Sequence, residues 1–135
     1  MTDQDLRRRL AEAVVHLADG IGPRNIHYYA ALNRTADYIE CALSELGYSP
    51  IRQTYEARGK TFHNIVAERP GTSSGVVVLG AHYDTHNDSP GLDDNGSAVA
   101  GLLELARVAT RLLPHFTVRF IAFTNEESPF TRTEL

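Results

Sequence analysis

Apolar residues recur at every third or fourth position in three segments of the chain, which predicts three amphipathic helices. The helices cover about residues 6–17, 26–46 and 95–113. Four residues mark the ends of these helices through their conformational preferences: Thr2 and Asp3 as N-terminal caps, Gly47 as a C-terminal residue and Pro114 as a helix breaker. The helices are therefore delimited by local signals as well as by periodicity.

Four shorter apolar runs predict β-strands. They cover residues 51–57, 60–68, 76–79 and 117–123. The first two are joined by a tight turn at Arg58-Gly59, which favours an antiparallel hairpin. The run at 76–79 is continuous, which is typical of a strand covered on both faces, and 117–123 is predicted to be a second buried strand. This order of elements predicts one α/β domain over residues 1–135, with a mixed sheet flanked by helices.

Composition and charge narrow the classes of function. A chain of 135 residues, 42% of them hydrophobic, can bury a core. The formal charge of −4 and the scattered basic residues give no electrostatic footprint for nucleic acid. Polar residues interrupt the apolar stretches before they reach the length of a signal peptide or a membrane span. We therefore expect a cytoplasmic protein that is not bound to a membrane.

Cys41 is the only cysteine in the sequence. An intramolecular disulfide and a zinc site built from thiolates are therefore excluded. Because it falls on the second predicted helix, Cys41 is expected to be a small buried residue. Any metal ion must then be bound by histidine and carboxylate side chains.

Side chains that can bind a metal follow two of the predicted strands. His82 comes at the end of one strand, Glu126 and Glu127 follow another, and Asp94 precedes the helix between them. In open α/β sheets, ligands bind beyond the carboxyl ends of the strands, so we expect these groups to converge. Asp94 is the natural bridge of a two-zinc site, and Asp84 is near enough to hold the second ring nitrogen of His82. We assign Glu127 to metal binding and Glu126 to the general base.

Each of these residues also has a structural interpretation. His82 could be a hydrogen-bonded residue at a strand end, Asp94 could cap the following helix, and Glu126-Glu127 could be a solvated pair. The combination of the three segments favours the metal site. His86 follows His82 by four residues, but that spacing brings two histidines to one metal only on a helix, so His86 is not assigned as a ligand.

Three segments carry a resemblance to a known family. Gly80-Ala81-His82-Tyr83-Asp84, Gly91-Leu92-Asp93-Asp94-Asn95-Gly96-Ser97-Ala98 and Phe123-Thr124-Asn125-Glu126-Glu127 resemble the co-catalytic zinc exopeptidases in order and rough spacing. That family includes bacterial aminopeptidases, glutamate carboxypeptidase and glutaminyl cyclase. The resemblance implies a phosphorylase/hydrolase-like zinc-exopeptidase fold, two Zn²⁺ ions and a peptide substrate. It also implies removal of N-terminal residues by metal-bound hydroxide.

The resemblance gives each site residue a role. It makes His82 a terminal ligand of one zinc, Asp94 the bridging ligand and Glu127 a ligand of the other zinc. It makes Glu126 the general base and Asp84 the partner of the histidine. The peptide bond after the bridging aspartate is implied to be cis. Carboxypeptidase and glutaminyl-cyclase activities stay open, because the same residues recur across them.

The family continues beyond the glutamate pair with strands and helices that supply an aspartate to one zinc and a histidine to the other. We expect a chain that ends at Leu135 to lack both ligands, so that it binds zinc weakly or not at all and has little activity. The predicted sheet would then keep an unpaired edge, which favours homo-oligomers. The alternative to a peptidase is therefore a non-catalytic, self-associating fragment of one.

Overall fold

The computed structural model describes residues 2–131, which form three α-helices, two π-helical segments and four strands. The α-helices are α1 Asp3–Val15, α2 Tyr29–Glu45 and α3 Ala98–Ala109. The π-helical segments are His16–Ile21 and Leu92–Ser97, and the second is broken by a kink at Asp94 and Asn95, which have non-helical backbone angles. The strands are β1 Ile51–Ala57, β2 Lys60–Arg69, β3 Val76–His82 and β4 Thr117–Phe123. Within this part of the chain, no helix is long and apolar enough to cross a membrane.

The helix boundaries follow local hydrogen bonds. Thr2 caps α1 as predicted, because its hydroxyl accepts the Asp5 amide while the Asp5 carboxylate accepts the Thr2 amide. α2 begins at Tyr29, later than predicted, because the side chain of Asn25 binds the amides ahead of it. α3 also begins later than predicted, at Ala98, because the kink at Asp94 and Asn95 interrupts the helical backbone.

The four strands form one mixed sheet in the order β1-β2-β4-β3, which confirms the predicted fold class. β1 and β2 form the predicted antiparallel hairpin, and β2 also pairs antiparallel with β4. β3 pairs with β4 in parallel, with His82 opposite Phe123 at their carboxyl ends. The segments that follow these two strands therefore leave the sheet at the same edge.

The core lies between the helices and one face of the sheet. The fully buried side chains come from α2, α3, the first π-helical segment and the sheet: Leu17, Leu32, Ile39, Ile65, Val99, Ala106 and Phe120. Along β4 the buried Phe120 and Ala122 alternate with the half-buried Arg119 and Ile121. The helices thus cover one face of the sheet.

Two predictions about burial were wrong. Val76, Val77 and Val78 are 44% to 52% exposed, although their continuous apolar run predicted a strand covered on both faces. The reason is position: within residues 2–131, β3 is an edge strand that pairs only with β4. Cys41 is exposed on α2, where its sulfur lies 3.7 Å from a carboxylate oxygen of Glu45.

Candidate metal centre

The structure brings three of the predicted site residues together beyond the carboxyl ends of β3 and β4. His82 ends β3, Glu127 follows β4 by four residues, and Asp94 lies in the π-helical segment before α3. Each offers one ligand atom, and these atoms lie within 4.8 Å of one another. In the described part of the chain this is the one group of three or more such side chains that could hold a metal ion.

The side chains in this cluster differ in their access to solvent. Nε2 of His82 lies 3.1 Å from Oδ1 of Asp94 and 3.8 Å from Oε2 of Glu126. His82 and Glu127 are largely buried, with 12% and 15% of their side chains exposed. Asp94 and Glu126 are 73% and 56% exposed. The inner part of the cluster is therefore His82 with Glu127, and Glu126 lies on its solvent side.

Asp84 connects the histidine to the glutamate pair. Its carboxylate is 2% exposed, and Oδ1 lies 3.5 Å from Nδ1 of His82. The same carboxylate accepts the backbone amides of Glu126 at 3.2 Å and Glu127 at 2.9 Å. The sequence predicted only the contact with His82. The two amide contacts give Asp84 a second task, which is to fix the backbone that presents both glutamates.

The turn before α3 depends on Gly91 and brings Asp94 to the site. Gly91 has a φ of 60°, and a Cβ there would lie 2.7 Å from the carbonyl oxygen of Asp94. A side chain at this position would therefore be strained and would collide with the backbone. The peptide bond between Asp94 and Asn95 is cis, which confirms the prediction from the resemblance.

Arg24 stabilises this loop through hydrogen bonds to its backbone. No motif in the sequence predicted that role. Its side chain is fully buried and donates only to backbone carbonyls. The acceptors are those of Tyr83 at 2.7 Å, Leu17 at 3.2 Å, Gly22 at 3.1 Å, Pro90 at 2.6 Å and Gly91 at 3.1 Å. Burial lowers the pKa of Arg24 to about 10, and the nearby charge of Asp84 opposes this. Arg24 thus holds both ends of the loop between β3 and the metal cluster.

Two members of the cluster have shifted pKa values. The hydrogen-bonding contact with the Asp84 carboxylate raises the pKa of His82 to about 9, although burial of the ring acts in the opposite direction. Burial raises the pKa of Glu127, and the negative charges of Asp94 and Glu126 add to this effect. Like charges are therefore concentrated at this edge of the sheet.

The chemistry of the three donors fits zinc. Zn²⁺ binds imidazole nitrogen and carboxylate oxygen, and catalytic zinc sites commonly have three protein ligands and one open position. His82, Asp94 and Glu127 supply one nitrogen and two carboxylates within one small volume. The second ring nitrogen of His82 faces Asp84, as expected for a metal-binding histidine.

Proteins related in sequence include named peptidases. The uncharacterized protein YfbL of Escherichia coli is 36% identical over 134 residues, which cover 93% of this chain and 42% of YfbL. Leupeptin-inactivating enzyme 1 of Streptomyces exfoliatus is 32% identical over 107 residues, 77% of this chain and 24% of that enzyme. An aminopeptidase of Pseudomonas aeruginosa is 43% identical over 67 residues, 49% of this chain and 12% of that protein. The chain spans less than half the length of these relatives.

Solved structures share the fold. A zinc aminopeptidase from Bacillus subtilis matches with a TM-score of 0.80 at 14% identity, over 86% of this chain and 60% of that one. The glutaminyl cyclase of Fimbriiglobus ruber matches with a TM-score of 0.81 at 20% identity, over 94% and 47%. A Zn-dependent exopeptidase from Parabacteroides distasonis matches with a TM-score of 0.73 at 25% identity, over 99% and 51%. These matches confirm the predicted zinc-exopeptidase fold.

A family model matches the part of the chain that carries the site. The match covers residues 64–131, from β2 through the segment after the glutamate pair. It therefore includes every residue of the metal cluster, and it confirms the resemblance seen in the sequence. The chain belongs to peptidase family M28.

Proposed function

We propose that this chain carries the zinc-binding residues of an aminopeptidase, an enzyme that removes N-terminal residues from peptides. One observation carries the proposal: the ligand atoms of His82, Asp94 and Glu127 lie within 4.8 Å of one another in a peptidase-family chain. Relatives named as aminopeptidases support the choice of reaction. The cytoplasmic location, the second zinc and the self-association predicted from the sequence stay predictions.

His82, Asp94 and Glu127 are the residues that would hold zinc. When bound, zinc polarises a peptide carbonyl and lowers the pKa of water. Asp84 keeps the ring of His82 oriented, so that Nε2 rather than Nδ1 faces Asp94. Because Asp84 is almost fully buried, this orientation is set before a substrate arrives.

Glu126 is the proposed general base. Its carboxylate reaches to within 3.8 Å of His82 and is still 56% exposed, so water and a peptide can approach it. A carboxylate oxygen of Glu126 would accept a proton from the attacking water and deliver it to the departing amine nitrogen. The amide contact with Asp84 keeps the backbone of Glu126 in place during this transfer.

The test combines zinc content with turnover. The purified chain is dialysed, its zinc is counted by elemental analysis, and its hydrolysis of leucine p-nitroanilide is measured. Any zinc-dependent activity of the parent chain should fall about 10²- to 10⁴-fold in Glu126→Gln, while the zinc content stays the same. The Asp94→Asn variant, in contrast, should lose both the zinc and the activity. Unchanged activity in Glu126→Gln would contradict the role of the base.

A second candidate is a non-catalytic, self-associating segment of such an enzyme. It is favoured by the exposed valines of β3, which is an edge strand within residues 2–131. The solution mass separates the candidates: a multimer that is free of zinc and inactive supports this second one. Glutaminyl cyclases share the fold, so ammonia release from a peptide with N-terminal glutamine should be assayed in parallel.

A further inference from the structure

His86 lies beside Glu127, although its spacing from His82 gave no reason to assign it to the site. Nδ1 of His86 is 3.3 Å from Oε2 of Glu127. His86 is outside the three-residue cluster of His82, Asp94 and Glu127. Its contact with Glu127 is one that the sequence did not reveal.

The neighbour of His86 fixes the position of its proton. Nδ2 of Asn87 lies 3.0 Å from Nε2 of His86. An amide nitrogen can only donate, so Nε2 of His86 accepts in this contact. In a neutral imidazole the proton is then on Nδ1, which is the atom that faces Glu127. Nδ1–H of His86 then faces the Glu127 carboxylate at the 3.3 Å of an ion-pair contact.

The backbone around His86 is held from both sides. Nδ2 of Asn25 donates to the carbonyl of Thr85 at 2.9 Å and to that of Asn87 at 2.7 Å. Asn25 itself is only 4% exposed, and the amide of Thr85 donates to the carbonyl of Arg24 at 2.9 Å. The loop therefore presents His86 from a fixed position, even though 47% of its side chain is exposed.

We propose that His86 is a positioning residue for Glu127. The contact of Nδ1 with Oε2 limits rotation of the carboxylate about its last bond, so that a fixed oxygen faces His82 and Asp94. Partners of this kind commonly change metal affinity by about 10- to 100-fold. The inference rests on the proposed function, in which Glu127 is a zinc ligand.

The experiment measures zinc affinity of the whole chain by competition with a chromophoric chelator. His86→Leu keeps the approximate size but removes the donor, whereas the side-chain amide of His86→Asn can donate from near the position of Nδ1. We expect His86→Leu to weaken zinc binding by about 10- to 100-fold and His86→Asn to restore most of it. His115→Leu is the matched control, because His115 is exposed and precedes β4 at the other end of the sheet.

Cobalt substitution gives a second readout, because its absorption bands report coordination geometry. We expect the bands of His86→Leu to shift while those of His86→Asn and His115→Leu match the parent chain. Parent-like affinity and bands in His86→Leu would overturn the inference. Equal losses in His86→Leu and His86→Asn would also overturn it, since the hydrogen-bond donor would then not be the active feature. Those two outcomes would overturn this inference alone. A parent chain that binds no zinc would overturn both this inference and the proposed function.

Discussion

Glu104 and Glu127 are two glutamates with similar exposure and opposite surroundings. Their side chains are 10% and 15% exposed. Arg9 and Arg107 both bind the Glu104 carboxylate, at 2.8 and 3.1 Å, and the hydrogen bond from Arg9 is the main cause of its lowered pKa. The pKa of Glu127 is raised instead, by burial and by the charges of Asp94 and Glu126.

The contrast separates a carboxylate that stabilises the fold from one that costs stability. Glu104 is compensated by two guanidinium groups and ties α1 to α3. Glu127 faces like charges, and among residues 2–131 the cationic candidates recorded in contact with this cluster are the imidazoles of His82 and His86. Carboxylates with raised pKa values cluster at functional sites, so the arrangement around Glu127 is the one expected where a cation binds.

The largest expected effect comes from Asp84, because the site cluster depends on it. Asp84→Ala leaves the amides of Glu126 and Glu127 without their buried acceptor. It also removes the carboxylate beside Nδ1 of His82, which then keeps only the backbone carbonyl of residue 84 at 3.2 Å. We expect the free energy of unfolding to fall by about 3 kcal/mol and zinc affinity to fall at least about tenfold. Urea unfolding and chelator competition measure the two quantities.

The control for this variant is Asp88→Ala on the same loop, where the aspartate is exposed and binds only the Tyr28 hydroxyl among the described contacts. It should change neither quantity appreciably. A stability loss in Asp84→Ala without any loss of zinc affinity would separate the fold from the metal cluster and so weaken the comparison.

A smaller loss is expected for Glu104→Gln, which keeps the shape but removes the charge. It breaks the ion pair with Arg9, which is largely shielded from water, and the pair with Arg107, whose side chain is 43% exposed. The free energy of unfolding at pH 7 should therefore fall by about 2 kcal/mol. Glu12→Gln is the control, because its pair with Arg8 is 60% exposed on both sides and should be worth under about 1 kcal/mol.

The effect of Glu104 should also depend on pH in a defined direction. Because its folded pKa is lowered, the charged form stabilises the fold above the ordinary glutamate pKa of about 4.3. That contribution is lost as the pH falls from there through the folded value. The difference between the parent chain and Glu104→Gln should therefore shrink below about pH 4. A constant difference down to acidic pH would show that packing, not charge, explains the variant.

Much of the fold and the site could be predicted from the sequence because the signals are local. Helical spacing and caps delimit α1, and the Arg58-Gly59 turn fixes the hairpin of β1 and β2. The convergence of His82 with Glu127 follows from a general rule, since both come after the carboxyl ends of parallel neighbours in a sheet.

The remaining features depend on contacts between distant residues. The exposure of Val76 is set by what borders β3, which its own apolar run cannot report. Arg24 and Asp84 act on backbone groups up to 67 and 43 positions away, and no spacing rule links them to those partners. His86 contacts Glu127 because the loop after β3 folds back, and its spacing from His82 carries no information about that contact.

The smallest expected effect has the opposite sign and tests the comparison most directly. In Glu127→Gln the amide oxygen can still accept from His86, but one of the facing negative charges is gone. Without added metal, we expect the free energy of unfolding at pH 7 to rise by about 0.5–1 kcal/mol, in contrast to the loss in Glu104→Gln. Glu126→Gln should give a smaller gain, because its carboxylate is mostly in water.

Zinc should reverse this order. A ligand that binds only the folded chain stabilises it in proportion to the logarithm of its concentration over Kd, so the parent chain gains more from zinc than Glu127→Gln does. Unfolding curves should therefore show Glu127→Gln as more stable than the parent chain without zinc and as less stable than it with zinc. If Glu127→Gln is destabilised without metal as much as Glu104→Gln, then Glu127 is a structural carboxylate like Glu104. If Glu127→Gln is more stable than the parent chain without zinc and loses that advantage when zinc is added, then Glu127 binds the metal and lowers the stability of the metal-free fold.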